Sequence, residues 1–172
     1  MSGQLHRYRR FMAGRGDDGE ITAWVGLLQT YARVIPALEA DLQAGHGISL
    51  TWFDILNRLD QAPDGRLRMR ELEDRSVFTN SGITRLVDRI EAAGFVRRER
   101  LPDDRRGVDV VITDAGRAKL AEVFPDHARS IHEHFGRFLD PSDATAIQLA
   151  TAKILGADPH LHPNHRPRTD TR

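Results

Sequence analysis

The chain has 172 residues, contains no cysteine and carries a formal net charge of zero at pH 7. This length suffices for one domain with a full hydrophobic core, or for two small domains that share a helix. The missing cysteines exclude a disulfide framework and a cysteine-based redox sensor, and the whole-chain charge gives no sign of a nucleic-acid partner. The sequence shows no signal peptide or long apolar run, so we expect a soluble, cytoplasmic protein with no membrane segment.

The first part of the chain predicts an arm followed by a long helix. Residues 1–20 are polar and glycine-rich, with basic side chains near the start, which predicts a disordered arm. From Ile21 to about Ala44, large apolar residues recur at helical spacing and form one stripe, with Trp24 among them. Pro36 should kink this helix because it removes one backbone hydrogen bond. A helix this apolar needs a partner surface, so we assign Trp24 to core or dimer packing ahead of ligand contact.

A second helix should begin after Ser49, which is a good N-cap, and should end at the turn of residues 63–65. Phe53 and Asp54 are predicted to point away from its inner face. The residues of that inner face are Trp52, Ile55, Leu56 and Leu59.

Two short elements should follow this turn. Leu67 to Met69 could form a strand with a single bridge to a later strand. Glu71 to Arg75 then predicts a short helix with Leu72 facing inward.

The stretch from Thr79 to Gly94 predicts a well-defined helix of about four turns. Thr79 is a good N-cap, Phe78 can pack on Ile83 as a hydrophobic staple, and Gly94 is typical of a position just past a helix end. One face is apolar and consists of Ile83, Leu86, Val87 and Ile90. The opposite face is polar or small and consists of Ser81, Arg85, Asp88 and Ala92, with Thr84 beside them.

An arginine-rich β segment follows this helix. Phe95 to Arg100 alternates like a short strand, residues 101–104 form a turn, and Val108 to Ile112 is β-branched and apolar. Helix, strand, basic turn and strand in this order are typical of a winged helix-turn-helix.

The last part of the chain predicts two more helices. Residues 114–139 form a long helical pattern, which Pro125 should kink. Residues 140–156 predict a final helix, because Asp140 and the proline after it are a typical helix start. Residues 157–172 are rich in proline, histidine and arginine with nothing to bury, which predicts a disordered tail.

The stretch LVDRIEAAGFVRRERLPDDRRGVDVVITDAG resembles the wing region of the multiple-antibiotic-resistance regulator (MarR) family. In that family an Asp, an Arg two residues later, and then a Val or Leu leading into a Thr mark the wing. Asp104, Arg106, Val110 and Thr113 match this pattern in order. The resemblance extends over roughly residues 21–155.

The resemblance implies a mainly α fold with a small β wing. A winged helix-turn-helix at residues 49–113 would bind double-stranded DNA, and N- and C-terminal helices at 21–48 and 114–156 would form a helical dimerisation region. The chain departs from the family at Arg70, where a Ser or Thr is usual. This departure should weaken the cap of the short helix and add a positive side chain near the DNA.

The resemblance also implies which residues contact DNA. The helix from Thr79 would enter the major groove, and Arg106 would enter the adjacent minor groove, with Asp104 holding its side chain extended. Four residues of the helix are candidates for base-edge and phosphate contacts: Asn80, Ser81, Thr84 and Arg85. Arg97 and Arg105 are expected to contact the DNA backbone.

Charge supports this interpretation only weakly. Between Arg66 and Arg106 there are eleven arginines and eight acidic residues, a net charge of +3. The arginine fork suits phosphates and guanine edges. Because the whole chain uses arginine almost to the exclusion of lysine, we attribute the excess first to composition bias.

Family members are repressors that a small, often aromatic and acidic, ligand releases from DNA. We therefore expect such an effector between the dimerisation region and the DNA-binding lobe, with Trp24, Phe53 and Asp54 as candidate pocket residues. Two alternatives stay open: a winged-helix module that binds a protein partner, and a regulator that acts without ligand or as an activator.

Catalytic and metal chemistry are not expected. The sequence has no nucleophile elbow, phosphate loop or dinucleotide fingerprint, so we predict neither an enzyme nor a cofactor. His127, His132 and His134 share one helix, but their spacing does not place three imidazoles on one coordinating face. Asp103 and Asp104 should orient neighbouring arginines rather than act as an acid and base pair.

Overall fold

The computed structural model describes residues 18–75, 82–101 and 104–156, and for residues 18, 73–75, 101 and 104–106 it describes the backbone alone. The elements in chain order are α1 (Asp18–His46), α2 (Leu50–Gln61), β1 (Arg66–Arg68), α3 (Met69–Arg75), α4 (Ile83–Ala92), β2 (Val96–Leu101), β3 (Asp104–Ile112), α5 (Asp114–His134) and α6 (Pro141–Leu155). Short 3-10 turns cover Pro63–Gly65 and Gly136–Phe138. None of the described helices combines the length and the apolar character needed to span a membrane.

The three strands form one antiparallel sheet in the order β1-β3-β2. In the register of the long pair, Val96 lies opposite Ile112. The expected short strand before α3 is present, but it runs from Arg66 to Arg68 and pairs over three residues, beginning with Arg66 opposite Val111. The prediction of a single bridge was therefore wrong, while the pairing of this strand with the wing is confirmed.

One hydrophobic core joins the helices to the sheet. Its completely buried members include Leu56 and Leu59 of α2, Val87 and Ile90 of α4, Val110 of β3 and Val123 of α5. Leu38 and Leu42 near the end of α1 belong to the same cluster. The DNA-binding candidate α4 is thus held from behind by the core that also anchors α1 and α5.

Several helix starts follow from side-chain caps. Ser49 Oγ accepts a hydrogen bond from Trp52 N at 3.1 Å, as the sequence predicted. Asp140 caps α6 through a capping box with Asp143. Thr113 Oγ1 accepts from Gly116 N at 3.0 Å and donates to the Gly94 carbonyl at 2.7 Å, so one hydroxyl ties the start of α5 to the end of α4.

Three predictions about the helices need correction. On α2 the buried aromatic residue is Phe53, which is 7% exposed, whereas Trp52 is only partly buried. The reason is that α5 covers the Phe53 side of α2 and places the His127 ring 4.3 Å from the Phe53 ring. The long helix after the wing ends at His134 rather than near residue 139, because Phe135 leaves helical geometry just before a glycine. The first helix is slightly longer than predicted.

Gly116→Ala tests how tightly the start of α5 packs on the sheet. An added Cβ at Gly116 would overlap the Phe95 carbonyl oxygen and lie 2.9 Å from Ile112 Cγ1. We expect this variant to lose roughly 1–3 kcal/mol of unfolding free energy, measured by urea denaturation. Gly45→Ala is the matched control, because a Cβ on that helical glycine meets nothing within 4 Å. The control should gain about 0.5–1 kcal/mol, and equal stability of the two variants would contradict this packing.

Candidate nucleic-acid interface

The candidate recognition helix α4 begins at Ile83, later than the sequence predicted. Gly82 takes the N-cap position with φ 100° and no side-chain cap, and its carbonyl accepts from Leu86 N at 2.9 Å. This left-handed backbone suits glycine and cannot continue a right-handed helix, so the predicted N-cap role of Thr79 is wrong. Thr79, Asn80 and Ser81 themselves lie outside the described residues, and their predicted DNA contacts remain predictions.

The two faces of α4 are confirmed. Ile83, Val87 and Ile90 are buried at 3%, 0% and 0% exposure, so the apolar stripe faces the core. Thr84 and Arg85 are exposed, as a DNA-reading face requires. Arg85 makes no ion pair or hydrogen bond with any residue that the structure describes, which leaves its guanidinium available for a phosphate or a guanine edge.

Arg98 of strand β2 joins the wing to α4, and the sequence analysis missed it. Its Nη1 donates to Glu91 Oε2 at 2.5 Å, and its Nη2 donates to the Thr84 carbonyl at 3.1 Å and forms an ion pair with Asp88 Oδ1 at 2.8 Å. The Arg98 backbone N–H donates to Glu91 Oε1 at 2.8 Å. We call this set of contacts the Arg98 bracket. Asp88, which the sequence placed on the open polar face, is therefore a partner of the wing.

A signal for this bracket existed in the sequence. Asp88 and Glu91 are three residues apart and hence neighbours on the surface of α4. Arg98 follows within one short strand, so a pairing between them was possible. The choice of Arg98 over the adjacent Arg97 depends on which side of β2 faces the helix.

Arg97 points to the other side of β2 and has a different environment. Its side chain is 53% exposed, and its Nε and Nη2 lie 2.8 Å and 2.7 Å from Glu99 Oε1 on the same strand. Glu99 Oε2 also pairs with Arg66 Nη1 at 3.3 Å. Arg97 is accessible to a DNA backbone, but it would have to share its charge with Glu99.

An open groove of about 520 Å³ lies between α3, α4 and the sheet beside the Arg98 bracket. It is lined by Arg68, Met69, Arg70, Thr84, Asp88, Arg98, Gly107 and Val108. Arg70, the departure from the family pattern, is exposed at this groove. The start of α3 is supported by Glu71, whose Oε2 accepts from Arg68 N at 2.9 Å.

The tip of the wing is described through its backbone. Strand β3 begins at Asp104, opposite Leu101, and the pairing shifts register between Arg100 and Leu101. The side chains of Asp104, Arg105 and Arg106 lie outside the description, so their predicted contacts with DNA remain predictions.

The three candidate effector residues are placed in different surroundings. Phe53 is buried against Phe124 and His127, and Asp54 Oδ2 accepts from Arg58 Nε at 2.8 Å. Trp24 is 50% exposed on α1. It stands 14 residues before Leu38 on that helix, about 21 Å at ~1.5 Å per residue, and Leu38 belongs to the core cluster that contains Phe53. The three candidates therefore do not line one common pocket within the described chain.

No group of three or more His, Asp or Glu side chains among the described residues could hold a metal ion. The geometry around α4 is instead that of a surface that presents polar and cationic groups on a rigid support.

Arg98→Ala should loosen the wing, and the matched control is Arg97→Ala. The first variant leaves Asp88 and Glu91 without their cation, and the Arg98 side chain is only 23% exposed. We expect it to lose roughly 1–2 kcal/mol of unfolding free energy in urea denaturation. Arg97→Ala removes an exposed pair within one strand and should cost less than about 0.5 kcal/mol. Equal losses would mean that the bracket contributes no more than a surface ion pair.

Comparison with known proteins agrees with this geometry. A family model described as the MarR family matches residues 46–107. The HTH-type transcriptional repressor YetL of Bacillus subtilis (strain 168) is 39% identical over 133 residues, which are 77% of this chain and 79% of the repressor.

Two solved structures from Streptomyces coelicolor are similar over most of the chain. AbsC, a MarR family transcriptional regulator, has a TM-score of 0.72 and 32% identity, covering 82% of this chain and 95% of its own. Sco3205, a MarR family transcriptional regulator solved in complex with DNA, has a TM-score of 0.71 and 27% identity, covering 78% of this chain and 87% of its own. Together with the winged helix-turn-helix described above, these matches show that the chain belongs to the MarR family of transcriptional regulators.

Proposed function

We propose that the chain acts as a homodimeric repressor that binds a pseudo-palindromic operator. The observation that carries this proposal is the α4 surface: its apolar face is buried, Thr84 and Arg85 are exposed, and the Arg98 bracket holds the wing beside it. A helix supported in this way can enter the major groove while the wing reaches the neighbouring minor groove. The similarity to YetL, which is named a repressor, favours repression over activation.

The dimer is proposed from the exposed apolar surface of the terminal helices. Trp24, Leu27 and Tyr31 on α1 are each at least half exposed, and Ile154 and Leu155 on α6 are 77% exposed. Apolar surface of this extent on a single chain marks an association site. A second copy fits it best, because two DNA-binding lobes joined by these helices would read two half-sites about one helical turn apart.

Self-association gives the first test. We expect an obligate dimer that buries well over about 2,000 Å², which light scattering at micromolar concentration would report. Leu27→Glu should weaken the dimer by more than about tenfold, because it would bury an unpaired carboxylate. Gln29→Glu adds the same charge on the opposite side of α1 and should leave the dimer intact. A folded wild-type monomer at that concentration would contradict the proposed assembly.

DNA titrations separate the wing from the recognition helix. Arg106→Ala should weaken operator binding by roughly 1–3 kcal/mol per subunit, with the largest loss on sites whose flanks are A·T-rich. Arg106→Lys should recover only part of this loss, since a hydrated ammonium is costly to strip in a narrow groove. Arg85→Ala should instead relax the preference at one or two base pairs within each half-site.

The titrations use the native operator and two mutated operators, one changed in the flank and one in the half-site, at one salt concentration. If Arg106→Ala binds all three as the wild type does, the wing does not enter the groove. If the wild type shows no salt-dependent affinity for any of them, the alternative of a winged-helix module for a protein partner is favoured.

We propose a small aromatic acid bound between the dimerisation helices and the DNA-binding lobe, in keeping with the sequence resemblance. Asp54 is held by Arg58, and Phe53 lies in the core beside α5. A ligand bound next to these two residues would therefore change the contact between α2 and α5. A ligand that binds the free form more tightly than the DNA-bound form would weaken DNA affinity by the same factor.

A further inference from the structure

The chain enters the DNA-binding lobe from α1 and leaves it into α5. Helix α1 ends at His46, just before α2, and α5 starts at Asp114, directly after β3. The end of α1 packs along α5 through polar contacts between residues 41–46 and 122–134. We call this contact the neck. It joins the two helices through which the chain enters and leaves the DNA-binding lobe.

His46 makes two hydrogen bonds across the neck. Its Nδ1 lies 3.1 Å from Glu122 Oε1 and its Nε2 lies 3.0 Å from Asp126 Oδ2, while its side chain is only 9% exposed. An ionised carboxylate only accepts hydrogen bonds, and a neutral imidazole carries a single N–H. Both contacts are therefore hydrogen bonds only when the ring carries two protons. In the neutral ring, one nitrogen lone pair would face a carboxylate oxygen.

The charges around His46 suit the protonated ring. It stands in the last turn of α1, where the helix dipole favours a cation. On α5, Lys119 Nζ lies 3.0 Å from Glu122, and Arg129 Nη2 lies 2.8 Å from Asp126. The His46 hydrogen bond, followed by that of Lys119, holds the pKa of the Glu122 carboxyl below its usual value, which favours the ionised carboxylate.

The other polar contacts of the neck do not require a doubly protonated histidine. Asp41 Oδ2 accepts from Ser130 Oγ at 2.5 Å and from His134 Nε2 at 2.9 Å, which a neutral His134 can donate. These two hydrogen bonds hold the pKa of Asp41 low. The contact that depends on the imidazolium is therefore that of His46.

His127 responds to pH in the opposite sense. It is 8% exposed, packs on Phe53, and its Nδ1 has no hydrogen-bond partner among the described residues. Burial lowers the pKa of His127, so the folded state prefers the neutral ring. Its contribution to stability is present above the ordinary histidine pKa and declines as the pH falls. An effect that weakens the protein as the pH rises cannot come from His127.

We propose that His46 is a proton-dependent clamp of the neck, so that the protein binds its operator more tightly when this ring is protonated. This inference rests on the proposed DNA-binding function. The clamp is complete when the ring carries two protons, and it loses one hydrogen bond when the ring carries one. When the neck is looser, the DNA-binding lobe is less well ordered relative to the terminal helices before it binds. Ordering it on association then costs free energy.

The test compares operator affinity at about pH 6 and about pH 8.5, at constant ionic strength, where histidine changes charge. The wild type should lose about tenfold in affinity across this range, which is the low end of what one hydrogen bond to a charged group contributes. His46→Arg keeps a cation with several donors and should bind tightly at both pH values. His46→Gln should bind weakly at both. His132→Gln is the matched control on exposed α5 surface and should behave as the wild type does.

Asp126→Asn provides a variant that keeps the histidine. An amide can accept from or donate to the ring nitrogen, so this change should flatten the pH dependence without removing His46. A His46→Gln or an Asp126→Asn protein with the full wild-type pH dependence would overturn the clamp.

Thermal unfolding without DNA separates failure of the clamp from failure of the proposed function. The wild type should melt higher than His46→Gln at about pH 6, and the difference should shrink toward about pH 8.5. A difference that stays constant with pH overturns the clamp, even if DNA binding is found. A difference that shrinks, in a protein that binds no DNA at either pH, supports the clamp and rejects the proposed operator binding.

Discussion

One side chain, Arg98, holds strand β2 of the wing against the side of α4. The Arg98 guanidinium contacts three oxygen atoms along one side of α4, one each from the Thr84 carbonyl and the Asp88 and Glu91 carboxylates. The strands of the wing and the helix are otherwise connected by a short turn at Gly94 and by core packing. The Arg98 bracket fixes the position of β2 beside α4, and its charges face each other. If α4 and the wing enter adjacent grooves, as proposed, their separation must match that of the grooves.

Periodicity predicted the parts of the fold that a single element decides. Ile83, Val87 and Ile90 repeat at helical spacing and are all buried, and the caps at Ser49 and Asp140 are present as predicted. These features depend on neighbours within a few residues, which a sequence displays directly. The first wing strand followed from alternation and the second from its β-branched apolar residues, and their order after the helix was sufficient to indicate the winged architecture. Their bounds were predicted less well, because Leu101 and Asp104, expected in the turn, belong to the strands, and the second strand begins four residues before Val108.

Features decided by tertiary packing or by backbone angle were missed. Thr79 is a better capping side chain than Gly82, but the left-handed backbone at Gly82 decides where α4 begins. The burial of Phe53 depends on α5, more than seventy residues away in sequence at His127. Arg98 and the adjacent Arg97 are the same residue type, and only the placement of β2 on α4 distinguishes their roles. Residue types therefore indicated the class of site, while contacts across elements determine which side chains support it.

Footprinting on the intergenic DNA beside the protein's own gene will show whether this chain reads a two-fold operator through α4 and the wing. We expect two protected half-sites about one helical turn apart, with protection that weakens steeply as salt rises. Adding a panel of phenolic acids and purines should weaken the protection with at least one of them. Uniform coverage without symmetric half-sites, or no protection at low salt, would contradict the account.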